Sequence, residues 1–246
     1  GKGYYITRNG SAVIAWRVPQ HAIGGWRIAA SHSDSPCWKI KADMPENEGC
    51  RRLSVEGYGG MIMASWLDRP LTVGGRVLVK TQDGVQSRLV YIDRDLLVIP
   101  SLAIHFQRDV NKGKVFNPQI DMQPLWGPAG SRTLTDLVCE ELGITVEEIL
   151  DWDLQLVTRQ APVQIGPDNE YFMAPRIDDL ECAATTLLAF LDASGEADSA
   201  CAPVWAMFDN EEVGSASRMG AESSFLRDVL DRILDAVPHS GQAAAR

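Results

Sequence analysis

The chain has 246 residues, 45% apolar and 23% charged, the balance of an ordinary folded protein with one large or two small domains. Acidic residues number 33 and basic ones 23, and the net charge of −10 argues against a broad nucleic-acid or anionic-membrane surface. No apolar run is long enough to read as a membrane span, and five scattered cysteines without a CxxC pair read as free thiols of a reducing, cytoplasmic compartment.

Residues 1–39 read as strands. Tyr4–Thr7 and Ala12–Val18 flank Arg8-Asn9-Gly10-Ser11, a hairpin signal. Ile23–Ala30 is a mostly apolar strand that runs into Ser31-His32-Ser33-Asp34-Ser35-Pro36. Residues 40–160 change character: glycines recur (Gly57, Gly59-Gly60, Gly74-Gly75) and short β-branched runs lie between them, at Arg76–Lys80, Arg88–Ile92 and Leu96–Ile99. That spacing predicts a β sandwich or barrel. Thr133 is placed to cap a helix over Leu134–Leu142 with Gly143 as its stop, and Thr145 with Glu148 forms a capping box for a second short helix to Leu150. Residues 161–246 turn α/β, with a helix over Leu180–Ala193, a buried strand at Pro203–Phe208 and an amphipathic helix over Ser223–Ala236. The pattern describes an α/β domain split in sequence, 1–39 with 161–246, and a β-rich domain of residues 40–160 inserted into it. The strand-like opening at Gly1 and the small-residue tail Gly241–Arg246 give the look of a piece of a longer protein.

Three polar clusters are candidates for chemistry. His32 and Asp34 are two apart in extended chain and point the same way, so a carboxylate there fixes the imidazole tautomer and frees the other nitrogen for a metal. The bland alternative is a surface histidine beside an aspartate. Asp178 and Asp179 precede an apolar helix, where acidic residues serve as caps or offset the helix dipole; a carboxylate there also suits a bridge between two divalent ions. Glu211 and Glu212 are adjacent and meet one site only on a turn, which Gly214 permits. One would then bind a metal while the other takes a proton from the attacking water, against the alternative of a solvated acidic loop. Together the clusters suit zinc, cobalt or manganese. No GxSxG elbow, GxxxxGK[ST] loop, HExxH or GxGxxG motif competes, and nothing selects a glycosidase from the paired carboxylates.

Six blocks in order resemble the M18 metallopeptidases, the aspartyl aminopeptidases: His32–Pro36, Gly57–Gly60 with Trp66–Arg69, Ile99–His105, Phe116–Gln119, Arg176–Leu180 and Phe208–Ser215. The resemblance implies a two-zinc aminopeptidase that removes acidic N-terminal residues, with cobalt or manganese as possible substitutes. It also implies an α/β catalytic domain interrupted by a β-rich dimerisation domain, and dimers that build larger homo-oligomers. By position, His32 resembles a terminal metal ligand, Asp34 its supporting carboxylate, Asp178 the bridging ligand, Glu211 the general base and Glu212 a ligand. His105 resembles a histidine that reaches across the dimer into the neighbouring site. The Asp178–Asp179 peptide is expected to be cis on the same ground. The family also carries a further aspartate and a further histidine ligand, which no residue here matches. An inactive assembly subunit of the same fold is therefore the alternative to an enzyme.

Overall fold

The computed structural model describes residues 2–43, 49–193 and 200–239. The tail Gly241–Arg246 lies outside the described residues. The chain divides into two compact units, residues 1–35 with 176–246 and residues 36–175.

The first unit opens with β1 (Gly3–Arg8), β2 (Ala12–Arg17) and β3 (Gly25–His32). The second contains β4 (Cys37–Asp43), β5 (Cys50–Tyr58), β6 (Leu71–Thr81) and β7 (Gly84–Tyr91). It continues with the single helical turn α1 (Pro118–Asp121), β8 (Leu125–Pro128), α2 (Leu134–Leu142), β9 (Ile149–Thr158) and the hairpin of β10 (Val163–Ile165) and β11 (Tyr171–Met173). The chain returns to the first unit through α3 (Ile177–Asp192), β12 (Cys201–Phe208) and α4 (Phe225–Ala236).

The expected boundaries at 39/40 and 160/161 are corrected to 35/36 and 175/176. Trp38 of β4 is fully buried in the core of the second unit, which draws residues 36–39 into it. Within residues 161–175, Val163–Ile165 and Tyr171–Met173 pair antiparallel as the β10–β11 hairpin.

In the first unit the sheet order is β1-β2-β12-β3, with β12 antiparallel to β2 and parallel to β3. The β1–β2 turn has Asn9 and Gly10 at φ 54° and 70°, the left-handed pair that a tight hairpin needs. Ile14, Val204 and Ala206 of the sheet pack with Phe225, Val229 and Ile233 of α4, the apolar face read from the sequence. Parallel pairing brings the C-terminal ends of β3 and β12 to one sheet edge, with His32 opposite Phe208. Ligand sites of α/β sheets form at such edges.

In the second unit six strands run in the order β7-β6-β9-β4-β5-β8. Bridges from Leu97 to Leu71 of β6 and from Val98 to Leu125 of β8 join the two sides, so the sheet curls toward a closed ring around its core. The α2 cap is as expected: Thr133 Oγ1 accepts from the Asp136 N–H at 3.1 Å, the Asp136 carboxylate accepts from the Thr133 N–H at 2.7 Å, and Gly143 stops the helix at φ 62°. The second helix is corrected. Glu148 does accept the Thr145 N–H at 2.7 Å, but only a 3-10 turn over Val146–Glu148 follows. Ile149 onward is claimed by the long antiparallel pairing of β9 with β6.

Gly74 and Gly75 lie inside β6, where the sequence suggests a break between strands. Gly75 has φ 150°, and a Cβ there would stand 2.1 Å from the Asp153 carbonyl oxygen and 2.9 Å from Leu154 Cα. Both are backbone atoms of the partner strand and cannot swing aside. Gly75→Ala is therefore expected to destabilise the second unit by about 1–3 kcal/mol. Urea unfolding should show a lower midpoint at an unchanged slope, and an unchanged midpoint would contradict the close approach.

Candidate metal centre

The site belongs wholly to the first unit. α3 packs on β3 and β12, so its start meets the loops that leave those strands. Three donors converge there. One ligand atom from each of His32, Asp178 and Glu212 lies within 4.8 Å of the others, and His32 Nε2 is 3.1 Å from Asp178 Oδ1.

The other imidazole nitrogen fixes the ring. His32 Nδ1 is 3.0 Å from the Asp34 carbonyl oxygen and 3.3 Å from its Oδ1, so an Nδ1–H donates to Asp34 and Nε2 faces the carboxylates. The Asp34 carboxylate also has a second task that the sequence reading did not give it. Its two oxygens accept the backbone N–H groups of Glu211 and Glu212, each at 3.1 Å. Asp34 thus ties the histidine loop to the glutamate loop.

The glutamates sit on the turn that the sequence required. Residues Glu211–Val213 form a 3-10 turn between left-handed Asn210 (φ 64°) and Gly214 (φ 95°). Ser217 Oγ donates to Asn210 Oδ1 at 2.6 Å and steadies its entrance. Glu211 Oε2 lies 3.8 Å from His32 Nε2, and its side chain is 55% exposed, open to water and substrate. At α3, Asp178 and Asp179 depart from helical φ/ψ, so the regular helix begins after them. The Asp178–Asp179 peptide is cis, as the resemblance implied.

Charge and burial oppose each other here. Burial alone would lower the His32 pKa, but the carboxylates of Asp34, Asp179 and Glu211 outweigh it and hold the imidazole above its ordinary value. Burial, followed by the nearby Asp178 charge, pushes Glu212 above the usual carboxylate range. Crowded carboxylates around one imidazole are the environment that a divalent cation relieves. The Asp178 side chain is 83% exposed, which leaves its oxygens accessible to an ion. The donor set fits zinc, and less selectively cobalt or manganese.

Two contacts escaped the sequence reading. The Asp179 carboxylate accepts the backbone N–H of His32 at 3.1 Å, and Ser35 Oγ donates to the Asp178 carbonyl at 3.0 Å. Both residues stood inside the polar clusters, but nothing in the pattern told which backbone group each would meet. His105 belongs to the second unit, exposed in a turn between Ile104 and Phe106.

Residues 1–245 match the profile of a family described as aminopeptidase I zinc metalloprotease, M18. The chain belongs to the M18 family. A probable M18 family aminopeptidase 2 from Clostridium acetobutylicum is 39% identical over 242 residues, covering 94% of this chain and 55% of the relative. Its counterpart from Streptomyces avermitilis is 41% identical over 257 aligned residues, covering 99% and 57%. Among solved structures, Chaetomium thermophilum mApe1 superposes with a TM-score of 0.88 at 33% identity, over all of this chain and 62% of that one. A Saccharomyces cerevisiae mApe1 dodecamer gives 0.77 at 27% identity, over 96% and 56%. This M18 chain spans about half the length of the curated relatives it matches. Its mixed α/β architecture is that of the family. Among the described residues, no helix is long and apolar enough to cross a membrane.

Proposed function

We propose that this M18 chain carries the core of a metalloaminopeptidase site that releases acidic N-terminal residues from peptides. The observation that supports the reading most is the convergence of His32, Asp178 and Glu212 within 4.8 Å, on three elements up to 180 residues apart in sequence. His32 and Glu212 would each hold a zinc ion and Asp178 would bridge two. Bound zinc would polarise the scissile carbonyl and stabilise the charge that builds on its oxygen.

The chain's own residues would perform the proton chemistry. Glu211, open to solvent beside the donor triad, takes a proton from the attacking water as its oxygen adds to the carbonyl carbon. It then returns that proton to the amine as the C–N bond breaks. Asp34 fixes the His32 ring and the backbone of both glutamates, so base and ligands keep one register. His105 would come from a partner protomer and donate a hydrogen bond to the oxyanion. The enzyme would accordingly work as a homo-oligomer of dimers, with the second unit as the dimerisation domain and the first as the catalytic one. Five cysteines, none of them joined in a disulfide, suit the cytoplasm.

The deciding measurement is zinc content together with hydrolysis of aspartyl, glutamyl and leucyl amides by the full-length protein. Zinc bound near two per subunit with aspartyl or glutamyl amides cleaved fastest is the expected result. Assembly without zinc or hydrolysis would instead identify a subunit that keeps the fold alone. Zinc-dependent cleavage of leucyl over acidic amides would refute the acidic preference and leave the metal chemistry standing.

A further inference from the structure

We propose that Asp179 is a positioning residue for the metal centre, holding His32 through its backbone, with Ser35 as a second clasp; this rests on the metal reading above.

Among the described residues β3 is an edge strand, paired only with β12. Ser33 N–H donates to the Phe208 carbonyl at 2.8 Å, toward β12. N–H groups alternate in direction along a strand, so the His32 N–H faces the open edge. The Asp179 Oδ2 meets it there at 3.1 Å. The same oxygen is 3.8 Å from His32 Nε2, beyond hydrogen-bond reach, so its grip is on the main chain and not on the ring. The Asp179 side chain is only 14% exposed, and a carboxylate withdrawn that far from water needs such a donor. One turn along α3, the Cys182 thiol bonds to the same carboxylate, and this contact foremost holds the thiol pKa above its ordinary value.

Ser35 closes the arrangement from the other side. Its Oγ donates to the carbonyl of Asp178 at 3.0 Å. Residues 178–179 are therefore tied to residues 32–35 at two points, with the His32–Asp178 donor pair between them. The ties use main-chain groups, so they set where two ligands stand before any ion arrives. A displacement of about 0.5 Å is enough to spoil such a constellation.

Asp179 has two rival roles, as an extra ligand or as a simple counter-charge. Substitution separates them. Asparagine keeps an oxygen that accepts the His32 N–H but removes the negative charge; alanine removes both. We would measure zinc affinity by competition with a chromogenic chelator, the visible absorption of the cobalt form, and hydrogen exchange of the His32 amide, all in the full-length protein. Asp179→Ala is expected to weaken zinc binding about 10–100-fold, to alter the cobalt spectrum and to speed exchange at His32. Asp179→Asn should stay close to wild type in all three. Ser35→Ala should weaken zinc in the same direction.

Equal loss of zinc in Asp179→Asn and Asp179→Ala would overturn the positioning role in favour of charge or ligation. Wild-type affinity in Asp179→Ala would overturn it outright. If Asp179→Ala fails to fold, Asp179→Asn decides: a protected His32 amide with near-native affinity supports the proposal, and lost affinity refutes it. A wild type that binds no zinc would bring down the metal reading itself, a different result from a wild type that binds beside an unaffected variant.

Discussion

Glu211→Gln should keep its zinc and lose about 10²–10⁴-fold in turnover, the usual contribution of a general base. The amide is nearly isosteric, so the turn held by Asp34 through the two backbone N–H groups should persist. What vanishes is the ability to take a proton. Glu212→Gln should behave in the opposite way. Its side chain is one of the three converging donors, and a neutral amide binds zinc poorly. Metal content after dialysis, measured beside the turnover number, separates the two. If both variants lose metal to the same extent, the division of labour between the adjacent glutamates is wrong.

His105→Ala should remain assembled and bind zinc, yet turn over about 10²–10³-fold more slowly, as when one oxyanion donor is removed. His105 is exposed in its own unit, on a turn whose neighbours Ile104 and Phe106 are also exposed at 48% and 82%. Apolar side chains presented on both sides of a histidine suit a surface that another protomer covers. The trans arrangement has a sharp test. Mixing His105→Ala with Glu211→Gln should restore part of the activity, because a hybrid dimer contains one site with both residues intact. A mixture that exchanges subunits and stays as inactive as its parents would exclude action across the interface.

The legible parts of this protein were those written in local chemistry. Asn9-Gly10 announced a hairpin, and Thr133 with Gly143 the start and stop of a helix, since each needs only a few neighbouring residues. The candidate ligands were legible for a related reason: His32 ends β3, Asp178 stands at the start of α3 and Glu212 lies on the turn that follows β12, where an α/β sheet gathers its chemistry. The misread parts depend on distant partners. Residues 149–150 gave way to strand because β6, about seventy residues earlier, offers a ladder that a two-turn helix cannot match. Gly74-Gly75 resembled punctuation, yet Gly75 marks a close passage of two backbones. The Asp34 carboxylate stays beside the imidazole but also accepts N–H groups 177 and 178 residues away, a link no local pattern encodes.

The pairing of β3 with β12 sets a timetable for synthesis. Phe208 leaves the ribosome 176 residues after His32, its partner across the ladder. At about 5–20 residues per second that interval is roughly 10–35 seconds. Throughout it, β3 lacks its finished parallel neighbour and His32 lacks Glu212, while Asp178 is made only in the last part of the interval. The 140 residues of the second unit emerge within the same interval as one uninterrupted segment. They can bury their own core while the flanking half waits with an open strand edge, the state in which a nascent chain most needs a chaperone. The proposed metal centre inherits the delay, because its donors His32, Asp178 and Glu212 are all present only once Glu212 has been made.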